Sequence, residues 1–295
     1  MSITIDEAFI RQYEQEVHII FHRRGSVLRP TVRTKDGIVG RSTTFQKIGN
    51  GTATTKARHG VITPMNQEHT AIECTLYDFY AGDWVDKLDE AKTNIDERMA
   101  IAQGGAQALG RKVDDQIITA LGTTTETSTA WTVTSANAIR NGIIGMVEGL
   151  DANNVPNDGQ RYGALSTRGW AYAMCVQQFA SADYVGPNGL PFTEGAPITR
   201  FKDFMGVKWT VHTGLSGVGG NACVYLAWHK SALGYATGAF AGNAATSNAV
   251  AADITWHGDR AAHWVNHMMS GGAALIDLNG VISCTVDDNE ALPTS

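Results

Sequence analysis

Apolar side chains recur at Ile95, Met99, Ala102, Ala106, Leu109, Val113, Ile117 and Leu121, within "TNIDERMAIAQGGAQALGRKVDDQIITALG", at intervals of 4, 3, 4, 3, 4, 4 and 4. That spacing is one face of an α-helix. Roughly 28 residues at ~1.5 Å rise make a rod on the order of 40 Å long, so the fold has to be built along it. Thr93 followed by Asp96 resembles a capping box, and Gly122 is placed to end the helix. Gly104, Gly105 and Gly110 each weaken an isolated helix by about 1 kcal/mol relative to Ala. The helix therefore needs packing, and its small residues permit close approach.

The flanking regions set what it packs against. Phe9, Ile10, Tyr13, Val17, Ile20 and Phe21 predict an amphipathic helix over residues 7–24, ending near Gly25. "VLRPTVRTKDGIVGRSTTFQKIG" and "GVITPMNQEHTAIECTLYDFYAGDWV" read as strands, with a turn at "KDG", residues 35–37. Between them runs the polar stretch "STTFQKIGNGTATTKARHG", Ser42 to Gly60, interrupted mainly by Phe45 and Ile48. So few apolar side chains cannot offset the entropy of ordering the segment. Its order is expected to come from another part of the chain or from another copy of it.

After the long helix the pattern alternates. Ser135 caps a helix with Ile139, Ile143, Met146, Val147 and Leu150 on one side, broken by "DANNVPNDG". A short strand at 161–166, a helix at 167–182, and strands at 207–214 and 222–229 follow. The Gly/Ala/Asn-rich stretch 238–252 reads as a loop, and the remainder as strands turning at "LNG". No fixed-period repeat is visible. The fold class is α+β.

Of the 295 residues, 43% are hydrophobic and 18% charged, a globular balance. The net charge of −6 argues against a dedicated nucleic-acid binder. It is unevenly spread: residues 1–70 hold 10 Lys and Arg against 6 acids, a balance of +4 that leaves −10 for the rest. Such asymmetry suits contacts between copies as well as within one. Cys74, Cys175, Cys223 and Cys284 form no C-x-x-C pair and read as free thiols in a reducing compartment. The first residues lack the apolar run of a signal peptide, and no run of 18 apolar residues spans a membrane, so synthesis in the cytoplasm is expected.

Candidates for chemistry are weak. "HWVNH" sets His263 and His267 four apart with His257 nearby, but the Glu of H-E-x-x-H is absent; a metal hydrolase on these three histidines is the enzymatic alternative. "GLSGVGG" lacks the G-x-S-x-G elbow, and "QGGAQALGRK" lacks the phosphate-loop pattern. The paired acids Asp114/Asp115 and Asp287/Asp288 read as solvated. No nucleophile, base and oxyanion site assemble, so neither enzymatic activity nor a cofactor is expected.

The order of parts, a polar excursion, a long Gly-tolerant helix, an α/β insertion and returning strands, resembles the major capsid proteins of tailed bacteriophages with the Hong Kong 97-like fold. The similarity runs over nearly the whole chain. Its carriers are "STTFQKIGNGTATTKARHG" with "HTAIECTLYDFYAGDWVDKLDE", the helix "NIDERMAIAQGGAQALGRKVDDQII", "NNVPNDGQRYGALSTRGW" and "GGAALIDLNGVISCTVDD". The resemblance implies an N-terminal arm (1–33), an extended loop (34–85), a peripheral domain with a spine helix (86–134 and 255–295) and an axial domain (135–254). It implies that the extended loop lies across a neighbouring subunit, with Phe45, Lys47, Ile48, Lys56 and Arg58 as contact residues. The implied partners are further copies in hexamers and pentamers, portal and decoration proteins, and packaged double-stranded DNA touched without sequence specificity on the inner face. The chain passes from Met1 directly into the arm, so a separate scaffolding protein is expected. Some relatives cross-link a loop Lys to a neighbour's Asn; Lys47, Lys56 and Asn279 offer those residue types without matching the motif. A bacterial encapsulin-type nanocompartment shell of the same fold is the alternative to a virion.

Overall fold

A computed structural model describes residues 25–88, 97–129, 131–180, 201–239, 245–247 and 250–293. The helix expected at 7–24 and the capping pair Thr93/Asp96 lie outside the described residues.

The stripe residues build α1, Glu97–Leu121, which ends where the Gly122 N–H reaches the Ile118 carbonyl at 2.8 Å. Leu109, Val113, Ile117 and Leu121 are buried, whereas Ala106 in the first half is exposed. Among the described side chains of the stripe, the buried ones all lie in its C-terminal half. Gly110 shows why small residues were needed: a Cβ there would stand 2.6 Å from the Gly25 Cα.

Helix α1 lies on a six-stranded sheet made of β1 (Arg33–Ile38), β4 (Tyr77–Asp86), β9 (Leu233–Gly238), β10 (Ala245–Ser247), β11 (Val250–His257) and β12 (Ala262–Leu275). The 14-residue β12 organises it, pairing antiparallel with β11, β4 and β9. A hydrogen bond of 2.9 Å from Gln116 Nε2 to the Gly271 carbonyl ties helix to sheet.

A five-stranded sheet in the order β13 (Val281–Val286), β8 (Cys223–His229), β5 (Arg161–Leu165), β7 (Val207–Val211) and β6 (Lys202–Phe204) forms the second layer. Upon it pack α2 (Ala136–Ala152) and α3 (Thr167–Met174), followed by the short α4 (Gln177–Ala180). Ser135 caps α2 by accepting from the Ala138 N–H, and the five apolar residues of its expected face are all buried. One continuous core joins α1, α2 and both sheets through Trp209, Tyr225, Trp228 and Tyr235.

Several sequence readings are corrected. "KDG" is not the turn; it lies within β1, which pairs parallel with β9 and shifts register between Lys35 and Ile38, with Gly37 at φ +72°. The chain reverses instead around Gly40. The helix expected over 167–182 breaks after Met174, and a second short helix covers Gln177–Ala180. Part of the 238–252 loop is strand, because β10 and β11 draw their order from pairing rather than from alternating side chains. Strand β9 joins the six-stranded sheet and β13 the five-stranded one, so segments far apart in the chain share each sheet.

Candidate intersubunit interface

Strands β2 (Ser42–Ile48) and β3 (His69–Thr75) pair antiparallel from Ser42↔Thr75 to Ile48↔His69, and a bond from the Gly49 N–H to the Glu68 carbonyl extends the ladder. Alternation along β2 turns Phe45 inward. Its ring packs with Cys74, Leu76, Ala236 and Ile276 in a second, smaller core and is 2% exposed. A Cβ on Gly234 would sit 2.6 Å from the ring, so Phe45 lies directly over a strand without a side chain at that point. Burial pushes the neighbouring Cys74 thiol up to about 11.

Polar contacts fasten the same base. Lys47 Nζ stands 2.8 Å from Asp277 Oδ1, and Lys35 Nζ donates to Thr43 Oγ1 at 2.7 Å. The Asn279 N–H also donates to Asp277 Oδ1, at 3.2 Å. Beyond Gly49 and Glu68 the excursion is uncovered. Lys56 and Arg58 are exposed, with Val61 91% and Ile62 70% exposed. Ile48, at 57%, marks where cover ends.

The five expected contact residues therefore fall into two groups. Phe45 is part of the subunit's own core, and the Lys47 ammonium is engaged by its own Asp277. Ile48, Lys56 and Arg58 face solvent. The sequence reading treated Ser42–Gly60 as one polar unit. A single inward aromatic was enough to anchor its first seven residues, leaving the tip without support.

The described end of the expected arm is likewise core. Leu28, Thr31 and Val32 are buried. Asp114 of α1, read as solvated, is fully buried and accepts from Ser26 Oγ (2.5 Å), the Leu28 N–H (3.0 Å) and the Val27 N–H (3.1 Å). His212 Nε2, arriving just after β7, lies 3.3 Å from Oδ2, the oxygen that also accepts from Val27, while the Gly214 N–H donates to Nδ1. Burial alone would raise this carboxyl's pKa, but the donors from His212, Ser26, Val27 and Leu28 together hold it below the ordinary value. One signal was present: Asp114 sits between Val113 and Ile117, on the apolar face. Asp288 is also buried, accepting from the Tyr225 hydroxyl and the Gly219 N–H.

The histidines do not converge. His263 and His267 are four apart on a strand, about 13 Å along it at ~3.3 Å per residue. His263 packs on Trp256 (4.9 Å), His257 on Trp84 (5.1 Å), and His267 Nδ1 lies 3.3 Å from the Ala81 carbonyl. Among the described residues no group of three His, Cys, Asp or Glu is arranged to hold a metal ion.

Comparison with known proteins gives the kinship of the chain. The model of the phage capsid protein family matches residues 5–288. A search of curated proteins gives no match. Among solved structures, the capsid of the cyanophage P-SCSP1u aligns with a TM-score of 0.71 at 14% identity, covering 95% of this chain and 93% of that one. A structure of Mycobacterium phage Che8 gives 0.70 at 16%, covering 94% and 97%. The capsid of Ralstonia phage GP4 gives 0.67 at 12%, covering 99% of each. These likenesses carry the fold, and the family match carries the kinship: the chain belongs to the phage capsid protein family.

Proposed function

We propose that the chain is the major capsid protein of a tailed phage, repeating as hexamers and pentamers in an icosahedral head around double-stranded DNA. Family membership makes it a structural protein of the virion. The observation that carries the assembly reading is the hairpin tip, residues 50–67, which the subunit itself leaves uncovered. An exposed basic tip bearing Val61 and Ile62 suits a neighbour that offers acids beside an apolar surface. The outer side of β4 has that character, with Asp78 and Tyr80 exposed at alternate positions. In this reading Ile48, Lys56 and Arg58 contact the neighbour, and Phe45 and Lys47 hold the base from which the loop projects. A separate scaffolding protein, portal, decoration proteins and sequence-independent DNA contact on the inner face complete the proposal, as partners that the capsid role calls for.

Family kinship favours a phage head over a nanocompartment, and a gene neighbourhood with portal and terminase genes distinguishes them. Replacing residues 50–67 by a short Gly/Ser linker tests the assembly reading. The expected product is a folded subunit that cannot close shells. Closed shells from the shortened chain would overturn it.

A further inference from the structure

A cavity of about 420 Å³ opens where two short 3-10 turns meet, Arg29–Thr31 ahead of β1 and Lys230–Ala232 between β8 and β9. Backbone contacts hold both turns in place. The Trp228 indole N–H donates to the Thr31 carbonyl at 3.2 Å, the Lys230 N–H donates to the Gln160 carbonyl at 3.0 Å, and Arg33 and Thr34 pair with Gly234 and Tyr235 of β9. Arg29, Arg33 and Lys230 line the cavity together with Thr34, Gln160 and Ser231, and no carboxylate lines it. The acids two residues from Thr34 and Gln160 are engaged elsewhere. Asp36 accepts from Arg29 Nη2 at 2.9 Å and from Thr237 Oγ1 at 2.7 Å, and Asp158 lies 3.1 Å from His229 Nε2. Among the described residues Arg33 and Lys230 make no ion pair. Asp36 thus offsets one of three gathered positive charges, and an anion in the cavity would relieve the repulsion between the others.

We propose that this cavity is a phosphate-binding site. A phosphate group presents three or more acceptor oxygens to two planar guanidinium forks, an ammonium and the flanking hydroxyl and amide donors; a carboxylate presents only two. The group can come from the backbone of the packaged duplex, a source that rests on the shell reading above, or from free inorganic phosphate. With a net charge of −6 the chain as a whole repels a polyanion, so a duplex can approach it only where cations gather. The tip cations Lys56 and Arg58 are committed to the neighbouring subunit in that reading. Those at the two turns are fixed by the subunit's own backbone and remain available.

Titration of the unassembled full chain with sodium phosphate by calorimetry, and with a short labelled duplex of mixed sequence by fluorescence anisotropy, reads the site without requiring shells. Arg33→Gln with Lys230→Gln is expected to weaken both ligands roughly tenfold and to reduce the slope of log affinity against log salt for the duplex by about 1.8, the loss of two phosphate contacts. Lys56→Gln with Arg58→Gln lies outside the cavity and is expected to leave phosphate binding unchanged. Thr34→Glu, which sets a carboxylate on the exposed rim, is the second variant should the first fail to fold, with the same loss expected. Loss of phosphate and duplex together supports the site with the duplex as source; loss of phosphate with no duplex binding in the wild type supports it with free phosphate as source. Binding that both cavity variants leave intact overturns the site, as does equal loss in the tip variant, which reports diffuse charge. A cavity variant that binds both ligands as the wild type does yet assembles poorly also overturns it, giving the cavity to an acidic segment of another copy. A wild-type chain that binds phosphate but never forms shells overturns the shell reading and leaves the site standing.

Discussion

Asp114→Ala removes the acceptor that joins α1, the segment Ser26–Leu28 and His212. The Gly214 N–H fixes His212 Nδ1 as an acceptor, which leaves Nε2–H to donate to Asp114. The substitution therefore strands the Val27 and Leu28 N–H groups and the His212 Nε2–H in a buried site, while the Ser26 hydroxyl is free to turn. A stranded buried donor costs ~1–3 kcal/mol, and partial relaxation brings the three to about 3–5 kcal/mol. Against a total stability of ~5–15 kcal/mol this is a large share. At ~2–4 °C per kcal/mol, thermal unfolding of the unassembled subunit should fall by roughly 10 °C. The neighbouring Asp115 is exposed, and Asp115→Ala should change stability by no more than ~0.5 kcal/mol. The pH dependence has a definite sign. A carboxyl held below its ordinary 3.8 stabilises the fold fully above that value, and the contribution is lost as pH falls through the folded pKa. The gap between wild type and variant should thus be constant near neutrality and narrow below about pH 4. Scanning calorimetry that finds the two alanine variants equally stable at neutral pH would refute the joint role of Asp114.

Charge at the hairpin tip should act on assembly alone: Lys56→Glu with Arg58→Glu is expected to raise the protein concentration at which shells form in low salt, leaving subunit unfolding unchanged. Each exposed pair is worth only ~0.2–1 kcal/mol, but a shell repeats it in every subunit, so light scattering should register the shift and high salt should erase it. An unchanged low-salt threshold would leave backbone pairing and the apolar side chains of the tip to hold the contact. Thiol titration should show at most one reactive group in the native subunit, the half-buried Cys175, and four on denaturation. Burial pushes Cys74 and Cys284 up to about 11 and Cys223 up to about 12, so prompt native reaction of more than one thiol would contradict the packing described.

Elements that carry their own signal were readable from the sequence. Ser135 with Ile139, Ile143, Met146, Val147 and Leu150 defined α2 because cap and stripe agree locally. The C-terminal half of α1 followed for the same reason. Non-local arrangements were not readable. Nothing in "VISCTV" tells that β13 pairs with β8 across some fifty residues, because its apolar run suits either sheet. Phe45 looked orphaned since its partners, Cys74, Ala236 and Ile276, come from three distant segments. Asp114 looked solvated because an acid beside an acid usually is, and its donors lie 86–98 residues away. The uncovered tip, by contrast, was legible from composition: a stretch with so little to bury stays outside the core whatever the rest of the chain does.

The central claim is that this chain completes its surface only by assembling with copies of itself. Negative-stain electron microscopy of the purified protein at rising concentration, with sedimentation on the same samples, tests it most directly. The account predicts rings and closed shells of uniform size. A single 31.6 kDa species persisting at the highest concentration, with and without a scaffolding protein, would contradict it.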